Sequence, residues 1–445
     1  MQVLTSYRSD YRIAYPHTNY PESRDRMKTA TMLRHNRHLF SPFVIELLII
    51  MFLVEFVKGA LLVAILPVYM GTVLGLSAFS IGWAFALQYI GDNAFRSPIG
   101  WVVERIGYRA SMIAGLALTL LAVAIIAYTS SVGWIVVACA LLGVGTAPLW
   151  PCVVTGATQM AGEKKQGTVL SIVNAAWLSG TGAGPVIINF VMKDSFAPAF
   201  RVLFVCMTAI IVIALFLPGQ RQTEAMHDRQ KDGGSADARL APRGLWRNIV
   251  GSYRQIGRTL HVSRWFYPAL FLQTFAVGLL SPVITLYART VLHLSPSQFS
   301  MLLVAGGGIT LLGLIPAGKL VDKFGSSWFL HIGFALSTAA IVTLTWTRSL
   351  PAVYSVVGMI GLSYALILPA WNAWVGSIVP KEERGATWGF FLTINGSGMV
   401  LGPIISGKLW DLFGPQAPFW VSAATQAVLF VLHLFITAKE RIVVR

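Results

Sequence analysis

Two acid–base pairs stand inside apolar segments of this 445-residue chain. Glu55 and Lys58 are three residues apart and Asp92 and Arg96 are four apart, so each pair shares one face of a helix. A charged side chain near the centre of a bilayer costs several kcal/mol, from roughly 3 upward, and is therefore a candidate functional group. The chemistry that these pairs suggest is proton exchange by a buried carboxylate, with the neighbouring cation setting the balance. Two self-satisfied ion pairs are the alternative interpretation.

The composition places these charges in a membrane protein. Hydrophobic residues make up 55% of the chain and charged residues only 12%, with a mean hydropathy of +0.66, whereas charged residues are about 25% of a soluble domain. Apolar stretches of the ~20 residues that a spanning helix needs recur from Ile45 to Phe435. Runs such as Ser111 to Tyr128 lack the alternation of membrane β-strands. The predicted fold class is an all-α membrane protein, which excludes a water-soluble enzyme.

Twelve apolar segments form the predicted membrane region, and we number them spans 1 to 12. They cover residues 43–70, 80–103, 109–128, 131–155, 167–192, 201–218, 264–290, 299–321, 327–346, 351–377, 385–409 and 416–437. The predicted domains are an N-terminal tail (1–42), a first six-helix half (43–218), a basic linker (219–263), a second six-helix half (264–437) and a C-terminal tail (438–445). Glu55 and Asp92 each lie ~18 Å along their spans, near the midplane.

The formal net charge of +16 reflects membrane topology rather than a nucleic-acid partner. Lysine and arginine crowd the N-terminal tail, the links after even-numbered spans and the linker, whereas links 71–79 and 129–130 contain none. The positive-inside rule then places both termini and the linker in the cytoplasm of a multi-pass plasma-membrane protein. The tail carries no secretory signal pattern, and Met27 and Met32 are alternative starts.

A constant spacing relates the two halves. Gly100 and Gly318 are 218 residues apart, as are Leu62 of span 1 and Leu280 of span 7, and several other glycine and proline pairs from span 2 to span 5. Six spans per half give the two copies the same orientation, which is the parallel-repeat plan of transporters that rock about a central site. At this offset the four charged residues correspond to neutral residues in the second half, so the fold itself does not require the charges. The second-half equivalents of Glu55, Lys58, Asp92 and Arg96 are Gln273, Ala276, Thr310 and Leu314, and a one-residue slip in span 1 would give Thr274 and Val277 for the first two, which are also neutral.

The links after spans 2 and 8 resemble the G-x-x-x-D-R-x-G-R signature of the major facilitator superfamily, and the resemblance covers about residues 43–437. Glu104 replaces the usual Asp in the first copy. The resemblance implies twelve transmembrane helices in two parallel repeats and a cytoplasmic gate braced by the acidic residue. The signature residues are Gly100, Glu104, Arg105, Gly107 and Arg109, and in the second copy Gly318, Asp322, Lys323 and Gly325.

Spans 5 and 11 carry Gly-Pro sequences that resemble the motif of antiporters in this superfamily. A Gly-Pro pair breaks one backbone hydrogen bond where a helix can bend, and close helix packing is the alternative role. The motif residues are Gly180, Gly184, Pro185, Gly402 and Pro403.

The resemblance implies alternating-access transport by a monomer, with protons, membrane lipids and a small organic or lipid-like substrate as partners. Proton-coupled export of an amphipathic molecule or drug is the first expectation. The Glu55-Phe-Val-Lys58-Gly59 sequence together with Asp92 also resembles proton-coupled glycolipid flippases. Sugar or metabolite symport stays open, as does a non-transporting sensor.

Aromatic and amide side chains in spans 4, 5, 7 and 10 are the predicted cavity lining, which suits an amphipathic or cationic molecule. Packing or lipid-facing tryptophans are the alternative. The predicted lining is Trp150, Asn174, Trp177, Gln273, Trp371, Asn372 and Trp374.

Catalytic and metal-site patterns are absent from the sequence. The three cysteines, Cys139, Cys152 and Cys206, lie in separate apolar runs, and no H-E-x-x-H or phosphate-loop sequence occurs. We expect no enzyme activity, no metal and no cofactor.

Overall fold

The computed structural model describes residues 41–161, 166–192, 195–219, 265–378 and 384–443. The predicted N-terminal tail before residue 41, the linker from residue 220 and the end of the C-terminal tail lie outside this range. Gly100 and Glu104 lie in a described helix, but their side-chain surroundings are also outside the description. Helices and short connections make up the described residues, with no strand among them, which confirms the predicted all-α class.

Six predicted spans of the first half are helical. Span 1 begins at Pro42, where Ser41 caps the helix and proline suits the first turn. It widens into two π-helical stretches, Ala60–Ile65 and Tyr69–Val73. The remaining helices are Ala78–Tyr128 (spans 2 and 3), Val132–Thr146 and Leu149–Ala161 (span 4), Gln166–Val191 (span 5) and Ala197–Ala214 (span 6).

The second half repeats this order, and span 7 is interrupted at residues 281–283. Its helices are Phe266–Leu280 and Ile284–Thr290 (span 7), Pro296–Phe324 (span 8), Ser326–Trp346 (span 9), Leu350–Ile378 (span 10), Arg384–Phe413 (span 11) and Ala417–Val443 (span 12).

Ten of the described helices are long and apolar enough to cross a membrane. The other two predicted spans, 2 and 11, are also helical but less apolar. Span 2 carries Asp92 and Arg96, and span 11 carries Lys408 and Asp411. The structure is therefore consistent with the predicted twelve spans in two halves.

Two glycines show the repeat in the backbone. Gly107 joins spans 2 and 3 with φ 83° and ψ 166°, and Gly325 joins spans 8 and 9 with φ 83° and ψ 160°. Residues with a side chain rarely adopt this conformation, so glycine at both positions makes the same turn possible. Both belong to the predicted signature, whose glycines therefore have a structural role independent of any gate.

The halves have two distinguishable ends. We call the end that carries residue 42, Gly107, Gly325 and the linker junctions the linker end, and the opposite end the distal end. Hydrogen bonds join the halves towards the distal end: the Thr285 hydroxyl donates to the Val63 carbonyl (2.6 Å), and the Ser300 hydroxyl donates to the Val186 carbonyl (2.9 Å). The distal ends of the two halves are thus held together.

Candidate functional site

The four charged residues predicted from the sequence form one network. Lys58 Nζ donates to Asp92 Oδ2 over 2.8 Å and lies 3.8 Å from Glu55 Oε1. Arg96 donates to Asp92 Oδ1 over 3.1 Å. Lys58 therefore joins the two predicted pairs, which the sequence had left as separate units on spans 1 and 2.

This network lies inside the first half. Glu55 and Asp92 are each only 6% exposed, and the Lys58 side chain is 14% exposed. The Arg96 side chain is 31% exposed and forms the edge of the network nearest the linker end, because span 2 runs from the distal end toward Gly107. Two carboxylates and two cations make the network electrically neutral when all four are charged, which offsets part of the cost of burying them.

Thr181 of span 5 is a further member that sequence reasoning missed. Its hydroxyl donates to Glu55 Oε2 over 3.1 Å and lies 2.9 Å from the Trp177 carbonyl oxygen. Thr181 stands between two glycines of the Gly-Pro motif, which was the available signal. It extends the network from spans 1 and 2 to span 5.

The glycines of the Gly-Pro motif bring span 5 against span 1. A Cβ atom at Gly180 would overlap the Phe52 carbonyl oxygen, and one at Gly184 would overlap that of Phe56. Gly402 packs in the same way on Gly278 in the second half. Both helices continue through their prolines, Pro185 and Pro403. The close-packing role is therefore visible, and the bending role stays a prediction.

Replacing Gly184 by alanine is expected to impair both folding and transport. The new methyl group meets backbone atoms of Phe56, which cannot move away as a side-chain end would, so spans 1 and 5 must separate at the turn next to Glu55. We expect a stability loss of about 1–3 kcal/mol, measured by thermal unfolding in detergent. Gly182→Ala is the matched control, because a Cβ there meets nothing within 4 Å. Equal behaviour of the two variants would contradict this packing role.

Repeat-related positions in the second half carry no charge. The Thr310 hydroxyl, in the place of Asp92, is satisfied by the carbonyl oxygens of Gly306 and Gly361, at 3.0 and 2.9 Å. Gln273, in the place of Glu55, is half-buried. The network is therefore a specialisation of one half.

The predicted cavity residues fall into two groups. Trp150 and Trp177 are half-buried and contact each other edge to face, with ring centroids 6.4 Å apart. Trp371 and Trp374 are each 6% exposed and pack in the second half's own core. Asn174 and Asn372 are exposed. The first pair adjoins the charge network through Thr181, whereas the second pair lies mainly in packing; the lining role of all these residues stays a prediction.

A polar contact between the halves lies beside the network. The hydroxyls of Tyr89 and Ser281 are 3.3 Å apart, and Ser281 is at the interruption of span 7. Asn93 donates to the Tyr89 carbonyl over 2.8 Å and faces Gly396 of span 11. Span 2 therefore turns one face to the network and another to the second half.

The described signature residues lie at the linker end. Arg105, Arg109, Asp322 and Lys323 are exposed there. The Arg109 amide donates to the Pro218 carbonyl over 3.3 Å, which ties the start of span 3 to the end of span 6. Their role as a gate stays a prediction. Within the described ranges, no group of three or more His, Cys, Asp or Glu side chains could hold a metal ion.

Known membrane transporters resemble this chain in sequence over most of its length. A proton-coupled antiporter flippase, LtaA, from Staphylococcus saprophyticus is 25% identical over 396 residues, covering 86% of this chain and 91% of the relative. LtaA from Staphylococcus aureus (strain N315) is 24% identical over 404 residues, covering 89% and 96%.

Solved structures agree on the fold. The nucleoside transporter NupG superposes with a TM-score of 0.70 at 14% identity, covering 89% of this chain and 99% of that one. A POT family transporter in complex with 5-aminolevulinic acid gives 0.66 at 15% identity, covering 89% and 96%.

The sequence model of one protein family matches residues 47–261 and 266–443 of this chain and so covers both halves. Together with the parallel repeat and the two glycine turns, this match shows that the chain belongs to the Major Facilitator Superfamily of membrane transporters.

Proposed function

We propose that this protein is a proton-coupled antiporter that moves an amphipathic, lipid-like molecule across the plasma membrane by alternating access. The observation that carries the proposal is the buried network of Glu55, Lys58, Asp92 and Arg96, which among the described residues is present in the first half and not in the second. If the network were only a structural brace, the second half would need one at the same place. A proton-carrying group, in contrast, is needed only once in the molecule.

The proton is carried by one of the two carboxylates. With both charged, Lys58 and Arg96 balance them and the network is neutral. Protonating Asp92 weakens its bonds to both cations, leaves the network with a net positive charge, and frees Lys58 to turn toward Glu55. Such a change alters how span 2 is held against span 1, and span 2 also contacts the second half. Proton binding and the relative position of the halves are coupled in this way.

The joined distal ends correspond to a state that binds substrate from the linker end. The positive-inside rule assigns the linker end to the cytoplasm, so this state is the one that loads from the cytoplasmic side. The exposed edge of the network at Arg96 points the same way. A proton released toward the cytoplasm and a substrate taken up from it are the two halves of an antiport cycle.

The substrate class follows from the asymmetry between the halves. Charged and hydrogen-bonding groups on spans 1, 2 and 5 suit a polar headgroup, while the equivalent positions in the second half, Gln273, Ala276, Thr310 and Leu314, are uncharged. The two Staphylococcus relatives named as flippases support lipid transport over drug or sugar transport. We further propose a monomer with both termini in the cytoplasm, acting as a transporter and not as an enzyme.

Lipid movement in reconstituted liposomes tests the proposal. A fluorescent glycolipid, a lipophilic cation and a radiolabelled sugar are each followed with and without a pH gradient, at fixed membrane potential. We expect only the glycolipid to cross faster, and only when protons can move in the opposite direction. If only the cation moved under the gradient, the protein would be a drug exporter and not a lipid flippase. If the sugar accumulated together with protons, the protein would be a symporter and not an antiporter.

A further inference from the structure

A carboxylate at the end of span 11 bridges the two halves. Asp411 Oδ1 accepts a hydrogen bond from the Ala78 amide (3.0 Å), and its Oδ2 accepts one from the Phe79 amide (2.9 Å). Asp411 belongs to the second half, and the two amides begin span 2 of the first half. This is a contact between a negative charge and the positive end of a helix, at the distal end.

The first turn of span 2 explains why these two amides are available. The first four amides of a helix have no partner within it. The Ser77 side-chain oxygen accepts from the Ser80 amide over 3.2 Å, and the Ile81 amide makes the first regular helical bond, to the Ser77 carbonyl. The Ala78 and Phe79 amides remain, and Asp411 of the other half takes both.

The repeat provides an internal comparison, because span 8 begins at the equivalent place in the second half. Pro296 stands where span 2 has Ala78 and has no amide hydrogen to satisfy. Ser295 and Gln298 form a reciprocal capping box, with Gln298 Oε1 accepting from the Ser295 amide over 2.8 Å. The capping box of span 8 therefore lies within its own half, whereas two amides in the first turn of span 2 are capped by the other half.

Small residues hold the two helices close at this contact. A Cβ atom at Gly407 would overlap the Ala78 carbonyl oxygen, and one at Gly82 would overlap that of Pro403. The Asp411 carboxylate is thereby kept at hydrogen-bond distance from the start of span 2. Span 2 also carries Asp92, a few turns further along the helix.

We propose that Asp411 is a latch that stabilises the distal-closed state of the transporter by capping span 2. Both hydrogen bonds must break when the distal ends separate, whereas the capping box of span 8 lies within one half and stays intact. The inference goes beyond the proposed function and does not depend on which substrate or ion is carried.

The test measures the distance between the halves in the full-length protein in lipid nanodiscs. Spin labels are placed on cysteines introduced at Ser130 and Ser349, which are exposed at the distal end of opposite halves, and Cys206 is replaced by serine. The distance between the two labels, measured by double electron–electron resonance, reports distal opening. Asp411→Ala is expected to raise the ratio of distal-open to distal-closed molecules roughly three- to tenfold. Ala78→Pro removes one of the two amide donors and is expected to give a smaller rise in the same direction.

Gln298→Ala is the matched control. It removes a cap of the same kind at the same end of the molecule, but one that does not cross between the halves, so the distance distribution should not change. Thermal unfolding of all three variants separates latch release from general destabilisation. Unchanged distances in both Asp411→Ala and Ala78→Pro, or an equal shift in Gln298→Ala, would overturn the latch.

Discussion

Replacing Asp92 by asparagine is expected to abolish gradient-driven transport, with a fall of at least roughly 100-fold. Asparagine keeps the shape, and its one carbonyl oxygen can accept from Lys58 or from Arg96, but it cannot gain or lose a proton. Movement of substrate down its own gradient should persist, because that movement does not require proton exchange. The measurement compares gradient-driven and equilibrative rates in the same liposomes.

The repeat again offers the control for this variant. Thr310→Ala changes the equivalent residue in the second half, where no charge is present, and should keep gradient-driven transport. Glu55→Gln then distinguishes the two carboxylates: the one that carries the proton is the one whose neutral variant loses coupling. Wild-type gradient-driven rates in both Asp92→Asn and Glu55→Gln would refute proton exchange by this network.

Replacing Lys58 by methionine is expected to cause the largest loss of stability, about 3–5 kcal/mol. The change removes the cation that lies between two buried carboxylates, so Glu55 and Asp92 face each other with Arg96 as the remaining nearby cation. Unfolding in detergent, followed by heat or denaturant, measures the loss. Arg96→Met should cost less, because its side chain is partly exposed and touches one carboxylate only.

A double variant separates stability from function. Lys58→Met with Asp92→Asn removes one charge of each sign and should recover much of the lost stability, while gradient-driven transport stays abolished. A double variant as unstable as Lys58→Met alone would show that Lys58 acts through packing rather than charge.

Much of the fold was predictable because each membrane helix requires a long apolar run in the sequence, and because the two halves of the chain repeat the same order of helices. The constant offset predicted that Gly107 and Gly325 are equivalent, and both adopt the same positive φ. Span 6 begins at Ala197, earlier than predicted, since Pro198 fits the first turn of a helix. Span 12 continues to Val443, past the apolar segment, because a helix can extend beyond the bilayer.

The candidate site was predictable in part, for a physical reason. Pairs within one helix follow from spacing, so Glu55 with Lys58 and Asp92 with Arg96 could be proposed from the sequence. Partners on different helices depend on rotation and depth, which spacing does not give. The 2.8 Å contact between Lys58 and Asp92, the Thr181 hydroxyl at Glu55 and the Asp411 bridge all belong to this second kind.

The most direct test of the central claim is proton movement caused by the substrate itself. Liposomes containing the wild-type protein and a trapped pH-sensitive dye are loaded with acid, and the glycolipid is then added from outside. Proton coupling predicts an immediate proton efflux that scales with the lipid added and is lost in Asp92→Asn. Glycolipid crossing at equal rates in both proteins, with no proton flux in either, would contradict the account and leave the charge network a structural element.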